Sequence, residues 1–91
     1  MRVLTHVLED VKFELGVIEA GQQRYNSAHE GYAVLLEELK ELEAEVFKKP
    51  INRSLQDMYM EACQVAAVAI RFMTDCCGDS PTRPVATPLV H

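Results

Sequence analysis

The chain has 91 residues, with 14 Asp and Glu against 9 Lys and Arg, which gives a formal net charge of -5. Hydrophobic residues make up 48% of it, a composition typical of folded proteins and not of disordered segments. The acidic balance argues against a nucleic-acid or anionic-membrane surface, since such surfaces need clustered Lys and Arg. The length corresponds to one small domain, and domains of this size often complete their core by forming oligomers.

Targeting and redox features are sparse. The N-terminus has no basic region followed by an apolar core, and no apolar run approaches the roughly 18–20 residues that span a bilayer. Cys63, Cys76 and Cys77 are odd in number and form no CxxC pair, which favours reduced, structural thiols over a disulfide scaffold, with a zinc site as the alternative. We therefore expect a soluble, cytoplasmic protein without a membrane partner.

Apolar residues recur three times at helical spacing, and strand-like alternation is absent, so the sequence predicts an all-α fold of three helices. The first helix is predicted over residues 3–20, and Gly21 stands where a C-terminal glycine cap is expected. Its apolar stripe consists of Leu4, Val7, Leu8, Val11, Leu15 and Ile18.

The second and third helices have start and stop signals. Ser27 and Glu30 form a capping box, in which Ser27 accepts from an amide and Glu30 reaches back to the Ser27 amide. Pro50 ends the second helix. Ser54 is a weaker cap for the third helix, which is predicted to reach about residue 76, where Gly78 can terminate it. Residues 1–77 thus form a helical domain, and the Pro-rich residues 78–91 are predicted to be an extended tail.

Glutamates are concentrated in the second helix, which has five of them between residues 37 and 45. Glu38 and Glu41 are one turn apart on one side of this helix, beside its apolar stripe. Carboxylates in that position point toward a helix–helix seam, where they repel each other and resist burial. A divalent cation would offset that cost, and carboxylate oxygens are the ligands that Mg²⁺ and Mn²⁺ prefer.

The third helix has a matching polar face. Glu61 and Gln64 are three residues apart, and Asp57 lies one turn before Glu61. If the second and third helices pack antiparallel, this face lies opposite Glu38 and Glu41, an arrangement that helical bundles use to hold metal ions. The alternative is a Glu-rich face that is only solvated, because Glu is a strong helix former.

Together these residues resemble a known family. Glu37, Glu38 and Glu41, followed by Glu61 and Gln64, resemble the EExxE…ExxD pattern of the MazG-like, all-α nucleoside triphosphate pyrophosphohydrolases. Residues 27–50 and 59–75 look like the short MazG-like proteins often found in bacteriophage genomes. The resemblance extends over residues 26–75, which is more than half of the chain.

The resemblance implies Mg²⁺-dependent hydrolysis of nucleoside triphosphates to monophosphates and pyrophosphate, with Mn²⁺ as a possible substitute. By position, Glu38, Glu41 and Glu61 would be metal ligands, with Gln64 as a weaker fourth. Glu37 would be a further ligand or would help to orient the water. The family's active unit is a four-helix bundle commonly completed by dimerisation, so a homodimer or homotetramer is expected here.

Gln64 departs from the family pattern, which has Asp at this position. An amide oxygen can bind Mg²⁺ but brings no charge, so metal affinity should fall unless Asp57 compensates. Two interpretations stay open: an enzyme with an altered metal shell, or a nucleotide-binding or helical interaction module with little activity. His29, in the first turn of the second helix, is a candidate for phosphate or base binding, and otherwise an ordinary surface residue.

Overall fold

The computed structural model describes residues 1–21 and 23–78, so the predicted tail from residue 79 onward lies outside the described residues. All regular structure in these two ranges is helical, which confirms the predicted all-α fold with three helices. The helices are α1 (Leu4–Gly21), α2 (Ala28–Val46) and α3 (Leu55–Cys76), with a 3-10 turn at Pro50–Asn52 between α2 and α3. Within the described ranges, no helix is both long enough and apolar enough to cross a bilayer.

Side-chain caps begin α2 and α3 where the sequence predicts them. The Ser27 hydroxyl accepts from the Glu30 amide at 3.1 Å, and the Ser54 hydroxyl accepts from the Asp57 amide at 3.1 Å. The returning half of the capping box differs from the prediction. The Glu30 carboxylate accepts from the Asn26 amide at 3.0 Å, one residue earlier than Ser27. The Asn26 side chain donates to the same carboxylate, which favours the earlier partner.

The two predicted glycine caps have different outcomes. Gly78 follows the end of α3 with a φ of +69°, the left-handed conformation that a glycine adopts without strain. Gly21 is still the last residue of α1 and has no positive φ. The predicted glycine cap is therefore present after α3 but is wrong for α1.

Helix α3 lies between the other two helices and packs on both of them. Contacts of Arg2 with Gln56 and of Glu14 with Gln64 show that α1 runs parallel to α3. The start of α2 lies against the end of α3, so this pair is antiparallel, as the sequence analysis required. Among the described residues, α1 and α2 do not approach each other, so the three helices form a layer and not a closed bundle.

This open arrangement buries few side chains. The apolar core consists of Val11, Tyr25, Cys63, Ala67 and Val68. The predicted apolar face of α1 is only partly buried. Val7, Val11, Leu15 and Ile18 pack in the core with α3, whereas Leu4 and Leu8 are 68% and 57% exposed. Phe13 and Val17, on the same helix, are 73% and 53% exposed. A single protomer therefore leaves much of the apolar surface of α1 in contact with solvent.

Close packing of α2 on α3 depends on Gly31. A Cβ atom at this buried position would lie 2.8 Å from Phe72 Cδ2 and 3.0 Å from both Cys76 Sγ and Tyr25 Cδ2. Real Cβ atoms essentially never approach another atom to less than 3.0 Å, so a side chain at this position would force its neighbours to shift. The missing side chain thus lets the first turn of α2 pack directly on the end of α3.

We expect Gly31→Ala to destabilise the fold and Gly16→Ala to stabilise it. Both changes favour helix by about 1 kcal/mol. A Cβ at Gly16 meets nothing within 4 Å, so Gly16→Ala keeps the full gain in helix stability. At Gly31, overpacking costs about 1–3 kcal/mol, which leaves a net loss of about 1 kcal/mol. Urea unfolding at fixed protein concentration measures the free energy of unfolding of the two variants. Equal stabilisation by both would contradict the close packing of Gly31 on α3.

Candidate metal centre

Three glutamates from α2 and α3 converge on the solvent side of the seam between these helices. Glu38, Glu41 and Glu61 each present a carboxylate oxygen, and these oxygens all lie within 4.8 Å of one another. Helix α2 supplies two of them from successive turns, and antiparallel α3 supplies the third. Glu38 and Glu61 are half-buried, whereas Glu41 is exposed. We call these three residues the acidic trio.

Burial and repulsion from neighbouring carboxylates both disfavour the ionised forms of Glu38 and Glu61. Desolvation raises the pKa of Glu38 to about 6, with further contributions from the charge and hydrogen bond of Glu41 and from the charges of Glu61 and Glu37. Desolvation, followed by the charge and hydrogen bond of Glu41, also raises the pKa of Glu61. The protein thus holds three carboxylates where ionising all of them is costly without a compensating positive charge.

The donor set fits a hard divalent cation. Mg²⁺ binds oxygen ligands at about 2.1 Å and keeps several waters, so it needs only a few carboxylates from the protein. Two ligands at that distance are roughly 3–4 Å apart, so small side-chain rotations would bring the acidic trio into bonding range. Glu41 is exposed, so water can reach this side of the acidic trio. The chemistry of these three carboxylates therefore fits a divalent metal ion.

The other predicted site residues lie around the acidic trio or away from it. Glu37 is exposed, and its charge contributes to the raised pKa of Glu38. The charge of Asp57 contributes to the raised pKa of Glu61. The amide nitrogen of Gln64 donates to the Glu14 carboxylate on α1, so this side chain bridges α3 to α1.

His29 lies in the first turn of α2, whereas Glu38 and Glu41 lie beyond the middle of that helix. It is exposed and lines a shallow groove with Ala28, Tyr32 and Phe72. It precedes Glu38 by nine residues, which is about 13 Å along a helix axis. A role for His29 in nucleotide binding stays a prediction.

A second polar cluster, which the sequence analysis did not predict, holds the segment before α2 against α3. Arg71 is only 2% exposed, and its Nε donates to Asp75 Oδ2 at 3.1 Å. Its guanidinium also donates to the Gln23 carbonyl and lies 4.6 Å from the centre of the Tyr25 ring. The Tyr25 amide donates to the Asp75 carboxylate at 3.3 Å. Tyr25 is thereby fixed between α2 and α3.

Asp75 is ionised in this cluster and is not a ligand at the acidic trio. Desolvation opposes its charge, but hydrogen bonds from the Tyr25 amide and from Arg71 hold the pKa of Asp75 below its usual value. The i, i+4 spacing of Arg71 and Asp75 on α3 was the available sequence signal. The contribution of Tyr25 had no such signal, because it depends on the path of the segment before α2.

No protein-family model, curated protein or solved structure matches this chain. The fold brings together three of the four glutamates in the two segments that resemble EExxE and ExxD, namely Glu38, Glu41 and Glu61.

Stability should depend on pH through Glu38. Folding raises the pKa of Glu38 from 4.5 to about 6. The stability that protonation of Glu38 contributes is therefore fully present below pH 4.5 and is lost as pH rises through about 6. After allowance for solvent screening, we expect wild type to lose about 1 kcal/mol relative to Glu38→Gln over this window. Mg²⁺ should restore the lost stability in wild type but not in Glu38→Gln. Thermal unfolding of both proteins across this pH range, with EDTA or with Mg²⁺, measures the effect. The same dependence of stability on pH in the two proteins would contradict the role given to Glu38.

Proposed function

We propose that this protein is a Mg²⁺-dependent, MazG-like nucleoside triphosphate pyrophosphohydrolase that converts NTP or dNTP to the monophosphate and pyrophosphate. The observation that carries the proposal is the approach of carboxylate oxygens of Glu38, Glu41 and Glu61 to within 4.8 Å. These residues come from the two segments that resemble EExxE and ExxD. An acidic cluster of this kind repels a bare triphosphate, so binding of the substrate requires the cation as well.

The proposed reaction adds water across the α–β phosphoanhydride bond. The oxygen of the water ends on one phosphate, and the bridging oxygen leaves with the other. When bound, Mg²⁺ supplies positive charge for the phosphate oxygens and lowers the pKa of a coordinated water. Glu38, Glu41 and Glu61 hold the ion from α2 and α3. Glu37, which is exposed and precedes Glu38 in α2, assists by orienting the water and accepting its proton.

We further propose that the active form is a cytoplasmic homodimer or homotetramer in which helices of partner copies complete four-helix bundles. Exposed apolar residues on α1 support this, since Leu4, Phe13 and Val17 are each more than half exposed. Helix α1 packs on α3 alone among the described residues, so a second copy has free apolar surface to cover. Surface of this kind is costly in an isolated small domain.

The alternative is a nucleotide-binding or helical interaction module with little or no activity. It is favoured by Gln64, whose amide nitrogen donates to Glu14 on α1. This residue brings no charge to the acidic trio, so the metal site has three acidic ligands where the family pattern has four. The proposed enzyme must therefore work with a less charged metal shell.

Pyrophosphate release from a panel of ribo- and deoxyribonucleoside triphosphates, with Mg²⁺, with Mn²⁺ and with EDTA, distinguishes the two functions. The enzyme should release pyrophosphate from at least one nucleotide with metal and from none with EDTA. No release with any nucleotide, from a folded oligomer, would favour the module. In that case Gln64→Asp tests whether the missing charge explains the lack of turnover.

A further inference from the structure

A surface that is both basic and apolar lies at the connection between α2 and α3, residues 47–55, which we call the basic turn. Its three large apolar side chains are highly exposed: Phe47 by 81%, Ile51 by 90% and Leu55 by 77%. Its three cations are Lys48, Lys49 and Arg53, in a chain with only nine Lys and Arg and a net charge of -5. Exposed apolar side chains grouped with charged ones are typical of interaction sites.

Two of the three cations have no acidic partner within the protomer. Lys48 is bound to Glu45 at 2.8 Å, whereas Lys49 and Arg53 are exposed and form no ion pair with any residue that the structure describes. The basic turn therefore presents uncompensated positive charge on an acidic protein. A surface that covers it should supply negative charge as well as apolar contact.

A cleft between α1 and α3 offers this combination. It has a volume of about 270 Å³, and we call it the acidic cleft; its lining includes Asp10, Phe13, Glu14, Tyr59 and Met60. Phe13 and Met60 are 73% and 42% exposed, so the cleft keeps apolar surface in contact with solvent. Small-molecule sites usually have volumes of about 300–1,000 Å³, so a cleft of this size is better suited to one large side chain of a protein partner.

The carboxylates of the acidic cleft are hydrogen-bonded but not neutralised. Asp10 accepts from the Tyr59 hydroxyl and Glu14 accepts from the Gln64 amide, and both donors are uncharged. No ion pair within the described residues includes either carboxylate. Arg2 also lines the cleft, with its guanidinium 3.7 Å from the centre of the Tyr59 ring. Two carboxylates and one guanidinium leave the cleft with a net negative charge.

The basic turn and the acidic cleft lie at the same end of the protomer. Leu55 of the basic turn directly precedes Gln56, which lines the acidic cleft and accepts from the Arg2 guanidinium at 3.4 Å. In a twofold dimer, if one surface of a copy contacts another surface of its partner, the reverse contact forms as well. Two neighbouring surfaces of opposite charge can therefore make two identical contacts around one axis.

We propose that the basic turn of each copy docks in the acidic cleft of a second copy, so that a twofold homodimer is held by two identical contacts. An apolar side chain of the turn enters the cleft, and Lys49 and Arg53 face Asp10 and Glu14. The proposal deepens the proposed function and rests on its homo-oligomer, because it names the two surfaces that meet. Contact of two basic turns or of two acidic clefts is disfavoured by like charge.

Charge reversal on each surface tests the proposal, with sedimentation of the full chain as the measurement. The turn variant combines Lys49→Glu with Arg53→Glu, and the cleft variant combines Asp10→Lys with Glu14→Lys. Either variant alone places like charges at both contacts, so the Kd of its dimer should rise by at least about tenfold. An equimolar mixture of the two variants has opposite charges at both contacts again, so a heterodimer should form with a Kd close to that of wild type.

Lys12→Glu combined with Lys40→Glu is the matched control, because both lysines are exposed, lie outside the two surfaces and give the same change of charge. Its dimer should have the Kd of wild type. The turn variant replaces only exposed, unpaired side chains, so it decides the outcome by itself if the cleft variant does not fold. A turn variant that dimerises as wild type does, or two folded variants that form no heterodimer, would overturn the proposal. A wild type that stays monomeric would instead overturn the proposed homo-oligomer.

Discussion

Glu41→Gln is expected to abolish pyrophosphate release while leaving the protein folded. Glu41 contributes to the raised pKa of both Glu38 and Glu61, so it occupies the middle of the acidic trio. Losing a metal ligand should lower kcat/KM by at least about 100-fold, since even outer-shell partners of metal ligands are worth 10–100-fold. The same change removes repulsion in the free protein, so its thermal stability without metal should rise.

Glu43→Gln is the matched control for that loss. Glu43 is exposed on the same helix and outside the acidic trio, so its replacement removes the same charge without removing a ligand. It should keep activity and metal affinity close to those of wild type. Equal losses in the two variants would show that activity depends on the general charge of α2 and not on a metal site. Full activity in Glu41→Gln would contradict the assignment directly.

Arg71→Ala is expected to cause the largest loss of stability. Its side chain is 2% exposed and connects Asp75, the Gln23 carbonyl and the Tyr25 ring. Removing one partner of a buried ionic cluster costs about 3 kcal/mol or more. Small domains have total stabilities of only about 5–15 kcal/mol, so this is a large fraction. The unfolding midpoint should fall by roughly 12–24 °C for a chain of this length.

Arg24→Ala tests whether burial is the reason for that effect. Arg24 also approaches Asp75, at 3.6 Å, but its side chain is 76% exposed. Exposed ion pairs are worth about 0–1 kcal/mol, so this variant should unfold within a few degrees of wild type. Both proteins are compared by thermal unfolding at one concentration, because oligomer formation makes the midpoint concentration-dependent. Similar midpoints for the two variants would contradict the role given to Arg71.

The helices and part of the site could be predicted from local sequence signals. Ser27 and Ser54 begin helices because a hydroxyl next to free amides forms a local hydrogen bond, which spacing alone predicts. Glu38 and Glu41 share a face through the helical repeat, and one assumption, antiparallel packing, placed Glu61 opposite them. The all-α fold and the composition of the acidic trio follow from these few rules.

What could not be predicted depends on contacts between distant segments. Tyr25 and Arg71 meet because the chain after α1 passes over the end of α3, and no local pattern describes that path. The amide nitrogen of Gln64 donates to Glu14 on α1, a partner 50 residues away that no local pattern indicated. The division of the α1 stripe, with Leu4 and Leu8 exposed, similarly depends on α1 packing against α3 alone.

The most direct test of the account is to locate a divalent ion in crystals grown with Mn²⁺, using its anomalous scattering. We predict one anomalous peak between α2 and α3, within about 2.3 Å of a carboxylate oxygen from each of Glu38, Glu41 and Glu61. The peak should be absent from crystals of Glu41→Gln grown under the same conditions. A peak elsewhere, or none in wild type at saturating Mn²⁺, would contradict the assignment of the acidic trio as a metal centre.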